Sequence, residues 1–199
     1  MRSVRKAIVE RKTLETSVKV ELSLEGQGDA QVSTGIAFLD HMLGALAKHS
    51  LFDLKVRAEG LRGPDDHHIV EDVAITLGKA LSQCLGKKEG IRRFGAAVVP
   101  MDEALAEVAL DLSGRGHLTF QGSFVHGRIG DMASDMIPHF LESLALNGGL
   151  TIHVARLYGR IDHHKAEALF KALGLALAEA VLVEPRLKGG VPSQKGVIE

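Results

Sequence analysis

Tryptophan is absent from this 199-residue chain, cysteine occurs once, and aromatic residues make up only 4%. The lone Cys84 rules out an internal disulfide and, lying in the apolar stretch from Ile75 to Leu85, reads as buried filler in a reducing compartment. So few aromatics leave almost no platform on which single-stranded nucleic acid stacks. Charge of either sign is not in excess: 24 Lys and Arg stand against 25 Asp and Glu, a net charge of -1, so no overall field draws the protein to nucleic acid or to an anionic membrane. No apolar run reaches the roughly 18 residues of a membrane span. The N-terminus (Met1, Arg2, Arg5, Lys6, Arg11, Lys12) is basic without the apolar core of a signal peptide, and a cytoplasmic protein is expected. With 45% apolar and 25% charged residues, disorder, collagen and coiled coil are excluded for the whole chain.

What the sequence does have is histidine, ten in all, and a repeat. Asp66-His67-His68-Ile69-Val70-Glu71 returns 96 residues later as Asp162-His163-His164-Lys165-Ala166-Glu167, each copy opening a long helical pattern. Leu39-Asp40-His41-Met42-Leu43 matches Ile137-Pro138-His139-Phe140-Leu141 at offset 98, each on a predicted helix that runs into an alternating strand, 54–58 or 150–154. Residues 15–24 align with 103–112 at offset 88, both strand-like. The spacing predicts a duplicated α+β fold of strand-helix-strand-helix halves, residues 1–88 and 89–184, with mixed sheets carrying helices on one face and a tail from 185 to 199. The hinge 86–90 is too short for a flexible linker, so the halves should pack together. Gly86 and Gly148 are expected to end helices, Ser134 to cap one, and Gly60 to Pro64 to form a loop.

A lone histidine is usually a hydrogen-bonded core or surface residue, and His49, His117, His126 and His153 are read that way. The doublets differ. At this composition a chance Asp-His-His-x-x-Glu arises on the order of once in several hundred chains, and two copies at matching repeat positions imply a shared chemistry. His67 with Glu71, and His163 with Glu167, are i and i+4 and so share a helix face, as metal ligands do. The second histidine of each doublet is turned by about 100° and serves a different ion, so two metals are implied. With the halves facing each other, within one chain or across a subunit contact, the sets are His41, His68, His163 and Glu167 for one ion and His139, His164, His67 and Glu71 for the other. Three imidazoles and a carboxylate without thiolate suit Mn, Fe, Co or Zn, and six-coordination favours manganese or iron.

These motifs, with Pro64-Asp65 before the first doublet, Glu71-Asp72, Asp111-Leu112-Ser113-Gly114-Arg115 and Pro192-Ser193-Gln194-Lys195-Gly196, resemble imidazoleglycerol-phosphate dehydratase of histidine biosynthesis over nearly the whole chain in colinear order. The departures are Ile69, where the family often has Thr, and Ile161, where Asn is expected; neither is a ligand. The resemblance implies a hydro-lyase in its monofunctional form, with a duplicated fold like the second domain of ribosomal protein S5. It also implies two manganese ions per active site, a small phosphate substrate, and a 24-subunit homo-oligomeric cage with sites between subunits. It makes Glu15 the general base among the catalytic carboxylates Glu15, Glu71 and Glu167. Glu15, His41, His67 and His163 contact substrate, and Arg93, Arg115, Ser193 and Lys195 hold its phosphate. The carbon that loses the proton has no adjacent carbonyl, so an imidazolate held by metals is the electron source that expels the hydroxyl.

Two other functions fit parts of the pattern. A di-metal hydrolase of phosphate esters is usually richer in carboxylates than this imidazole-dominated set. A metal-storage or metal-sensing protein needs neither a basic cluster for phosphate nor an extra acid such as Glu15. An S5-like nucleic-acid binder is disfavoured by charge and aromatic content.

Overall fold

Alternation of apolar and polar residues sets the sheets. In β2 (Thr16–Ser23), Val18, Val20 and Leu22 are buried while Ser17, Lys19 and Glu21 face outward; in β6 (Ala104–Asp111), Ala106, Val108 and Leu110 are buried in the same way. The computed structural model describes residues 4–61 and 66–198. Pro64, Asp65 and most of the loop expected at 60–64 lie outside the described residues, as do Met1, Arg2 and Glu199.

Two four-stranded sheets share one topology. The first has the order β1 (Lys6–Lys12), β2, β4 (Asp53–Gly60), β3 (Ala30–Ser33), and the second β5 (Phe94–Met101), β6, β10 (Thr151–Tyr158), β7 (His117–Phe120). In each, only the last pair is parallel. Register repeats too: Val20 sits opposite Val9 and Val56, and Val108 opposite Ala97 and Val154. The expected duplication is therefore present strand for strand. A small hairpin, β8 (Arg128–Ile129) and β9 (Met132–Ala133), interrupts the second half and has no counterpart among the described residues of the first.

Among the described residues the four α-helices are α1 (Ala37–Ser50), α2 (Asp66–Leu85), α3 (Met136–Gly148) and α4 (Asp162–Val181). Helix α2 covers the first sheet and α4 the second, yet α1 packs on α4 and α3 on α2, so the halves exchange helices. One continuous core results, with Phe140 of α3 against Phe170 of α4 at 5.5 Å between ring centroids. Repeat-related glycines allow both exchanges. A Cβ on Gly78 of α2 would lie 2.9 Å from the Leu144 carbonyl oxygen of α3, and one on Gly174 of α4 would lie 2.8 Å from the Leu46 carbonyl oxygen of α1. Only a residue without a side chain lets the backbones approach so closely.

Two expected helix ends shift. Ser134 does not cap α3, because its hydroxyl donates to the His126 carbonyl at 2.7 Å; Asp135 takes the cap position without a side-chain bond. Gly148 is the last helical residue of α3, and Gly149, at φ 64°, makes the left-handed turn. Gly86, at φ 50°, ends α2 as expected. Among the described residues no helix is long and apolar enough to cross a membrane.

Gly174→Ala forces a methyl into backbone that cannot retreat, and we expect a loss of about 1–3 kcal/mol, read as a lowered denaturant midpoint with unchanged slope. An unchanged midpoint would show that the α1–α4 approach is not close.

Candidate active site

Exchange of helices is what gathers the histidines. His41 on α1 meets His163 and Glu167 on α4, and His139 on α3 meets His67 and Glu71 on α2; in each triplet the ligand atoms lie within 4.8 Å of one another. His41 Nε2 and His163 Nε2 stand 3.4 and 3.5 Å from Glu167 Oε2. On the other side His139 Nε2 is 3.6 Å from Glu71 Oε1, and its ring stacks on His67 at 4.6 Å between centroids. Burial pushes the Glu167 carboxyl up, but hydrogen bonds from Lys171 and His41 outweigh it and hold the group below its ordinary range.

Each triplet suits a divalent cation on its own evidence. His139 Nε2 is buried without a hydrogen-bond partner, a costly state for a ring nitrogen unless something fills it. Two imidazoles and a carboxylate are the donors that manganese, iron or zinc take. The residues fit the group.

Second members of the doublets point elsewhere. The His68 ring stands at 85° to His67, with Nε2 3.6 Å from Glu15 Oε2; the His164 ring stands at 89° to His163 and meets Glu103 Oε2 through Nδ1 at 2.8 Å. Six of the eight expected ligands thus gather within the chain, three to a cluster, while His68 and His164 face the β1–β2 and β5–β6 turns. Glu15, about half exposed, sits on the first of these turns. That turn is anchored to α2 by Asp72, which accepts from Arg11 Nε at 2.6 Å and from the Thr16 hydroxyl.

The expected phosphate residues come together at the far end of the second sheet. Arg93, Ser113, Arg115, Ser193, Gln194 and Lys195 line a cavity of about 600 Å³, closed by Val197 and Ile198. Arg93 is already engaged: its Nε and Nη2 donate to the two oxygens of Asp111, and its Nη1 donates to the Pro192 carbonyl at 2.9 Å, which seats the tail. Lys195 N–H donates to the Ser193 hydroxyl.

The family model of imidazoleglycerol-phosphate dehydratase matches residues 34–177. The chain belongs to that family. The imidazoleglycerol-phosphate dehydratase of Methanothermobacter thermautotrophicus is 55% identical over 196 residues, covering 98% of this chain and 99% of that protein. The one from Chloroflexus aggregans is 53% identical over 198 residues, covering 100% and 97%. Among solved structures, the imidazoleglycerol-phosphate dehydratase of Pyrococcus furiosus superposes with a TM-score of 0.80 at 34% identity over 94% of this chain and 99% of that one. The Staphylococcus aureus dehydratase gives 0.79 at 32% identity over 89% and 99%.

In this member of the dehydratase family, the segment around the β8–β9 hairpin ties down the helices that carry the histidines, which sequence reasoning missed. Asp162, buried at the start of α4, accepts from the Val125 and His126 amides, from His126 Nδ1 and from Lys165. Burial works against that charge, yet Lys165 and the two amides hold the carboxyl well below the usual carboxylate range. Asp66, its repeat partner on α2, accepts from the Ala133 amide at 2.8 Å. Asp131 at the hairpin tip accepts from the Ala37 and Phe38 amides at 2.7 and 2.9 Å, and so caps α1 from outside. The signal for Asp66 and Asp162 was their invariant place before both doublets; nothing in the sequence marks Asp131. His126 and His117, read as ordinary hydrogen-bonding histidines, bond Asp162 and Thr119. Of the two departures, Ile69 is buried in the core, and exposed Ile161 donates its amide to Glu103.

Asp131→Ala leaves the first amides of α1 without an acceptor, and a loss of about 1 kcal/mol is expected in denaturant unfolding. No change would show that the hairpin does not cap α1.

Proposed function

We propose that this protein dehydrates imidazoleglycerol phosphate to imidazoleacetol phosphate, a hydro-lyase step of histidine biosynthesis, with a manganese ion at each triplet. The observation that carries the reading is the matched pair of triplets, each drawing its ligands from both halves of the duplication and one containing an orphaned buried ring nitrogen. Overall the reaction breaks one C–H and one C–O bond in the glycerol chain, releases water, and leaves an enol that tautomerises to the ketone. Divalent cations held by His41, His163 and Glu167 and by His67, Glu71 and His139 would supply Lewis acidity that favours the electron-rich imidazolate form of the substrate ring, the source of the electrons that expel hydroxide.

The chain's own residues supply the rest. Glu15 stands half-exposed on its anchored turn and takes the proton from carbon. His41, His67 and His163 are the histidines that contact the substrate, while Glu71 and Glu167 act through the charge they bring to the triplets. Within one chain the cavity that Arg93 shapes lies at the opposite end of the second sheet from the turn beside His164, so Arg115, Ser193 and Lys195 of a neighbouring copy hold the phosphate, and a short flexible substrate is fixed at both ends. Within one chain each triplet is a ligand short of the expected set, and His68 and His164 are turned away. We therefore propose a homo-oligomer in which a neighbouring copy contributes those histidines, consistent with the 24-subunit cage that the family resemblance implies.

The test is an assay for imidazoleacetol phosphate with chelator-stripped protein before and after manganese. Activity absent after stripping and restored as uptake reaches two ions per chain is expected. Full activity in the verified metal-free protein would overturn the metal role, and no product in the manganese-loaded protein would overturn the dehydratase reading.

A further inference from the structure

Four of the site histidines face their carboxylates through Nε2: His41 and His163 toward Glu167, His139 toward Glu71, and His68 toward Glu15. His164 is reversed. Its Nδ1 lies 2.8 Å from Glu103 Oε2, while Asp102, the other nearby acid, is 3.8 Å away. Glu103 is rigidly held, because its second oxygen accepts the backbone amides of Arg160 and Ile161 at 3.0 and 2.7 Å, in the turn that leads into α4.

With one oxygen accepting two backbone amides, the Glu103 carboxylate presents its other oxygen to His164 as an acceptor. The proton therefore sits on Nδ1 of His164, and in the neutral ring the lone pair is at Nε2, facing away from the turn. Carboxylates placed behind a metal-bound histidine in this way set both tautomer and ring direction. Glu103 is also the repeat partner of Glu15, 88 residues on, yet the two acids sit differently. Glu15 is half-exposed and 3.6 Å from Nε2 of His68, whereas Glu103 is mostly buried and bonded to the opposite nitrogen of His164.

We propose that Glu103 is a positioning residue that locks His164 as the Nδ1–H tautomer and aims Nε2 at a divalent cation, so that the duplicated acids have split their work between proton transfer at Glu15 and ligand orientation at Glu103. This rests on His164 being a ligand, as the proposed function holds.

Glu103→Gln separates orientation from scaffolding. The amide oxygen of glutamine still accepts the Arg160 and Ile161 amides, but its NH2 group opposes the His164 Nδ1–H. Metal-free protein is titrated calorimetrically with manganese as wild type, Glu103→Gln, His164→Ala and the double variant. The expected result is that Glu103→Gln weakens one of the two ions about ten- to a hundredfold, leaves the other unchanged, and adds nothing in the His164→Ala background. Equal weakening of both ions, or an undiminished effect in that background, would overturn the proposal by making Glu103 a scaffold for the 160–161 turn. Histidine 15N spectra of the metal-free protein give a second readout: Nδ1–H at His164 in wild type, lost in Glu103→Gln, is expected, and the same tautomer in both would overturn the proposal. A wild type that binds no manganese would refute the metal reading, while the tautomer would still decide the role of Glu103.

Discussion

The site depends on the close approach of helices from opposite repeats. Gly174 lets α1 lie on α4, and Gly78 lets α3 lie on α2, so each doublet helix receives its third ligand from the other half of the chain. Without that approach His41 and His139 would belong to separate repeats with no access to the doublets. Both contacts are buried in the shared core, so the energy that places the ligands is that of apolar burial and close packing rather than of the polar groups themselves. The aspartates preceding the doublets then fix the helix starts through the hairpin segment, which touches α1, α2 and α4.

Duplication supplies the symmetry, and function has broken it at particular positions. Asp72, which anchors the turn carrying Glu15, is matched by Ala168, so the second turn must be held by other means, and Glu103 provides them. Lys171, which pairs with Glu167 at 2.8 Å, is matched by the uncharged Ile75. The two triplets therefore offer a cation the same donor types in different electrostatic settings. Among the described residues the segment 125–133 after β7 occurs once, yet its His126 amide bonds Asp162 and its Ala133 amide bonds Asp66, so one segment serves both doublet helices.

Much of this was legible in the residues because periodicity and spacing are local properties. Alternation in 15–24 and 103–112 marked the central strands, and the offsets of 88, 96 and 98 marked the duplication. The i, i+4 pairing of each doublet histidine with its glutamate followed from helix geometry alone. What stayed hidden depends on contacts between distant segments. The exchange of α1 and α3 between halves is set by Gly78 and Gly174, which in sequence look like weak points in helices. Asp131 acts on amides more than ninety residues away. Glu103 aligns with Glu15 in a strand-like segment, but its bond to His164 depends on the β5–β6 turn folding against α4.

In the proposed assembly each ion site is built from a triplet within one chain and completed by the second histidine of a doublet on another copy. Mixing two variants tests this directly, one lacking a triplet ligand (His163→Ala) and one lacking the donated ligand (His68→Ala), after dissociation and reassembly with manganese. Each alone should be inactive, and the mixture should regain activity, because intact triplets on the His68→Ala chains receive His68 from the His163→Ala chains. A mixture as inactive as its components, with mixed oligomers verified by mass, would contradict the sharing of sites between copies.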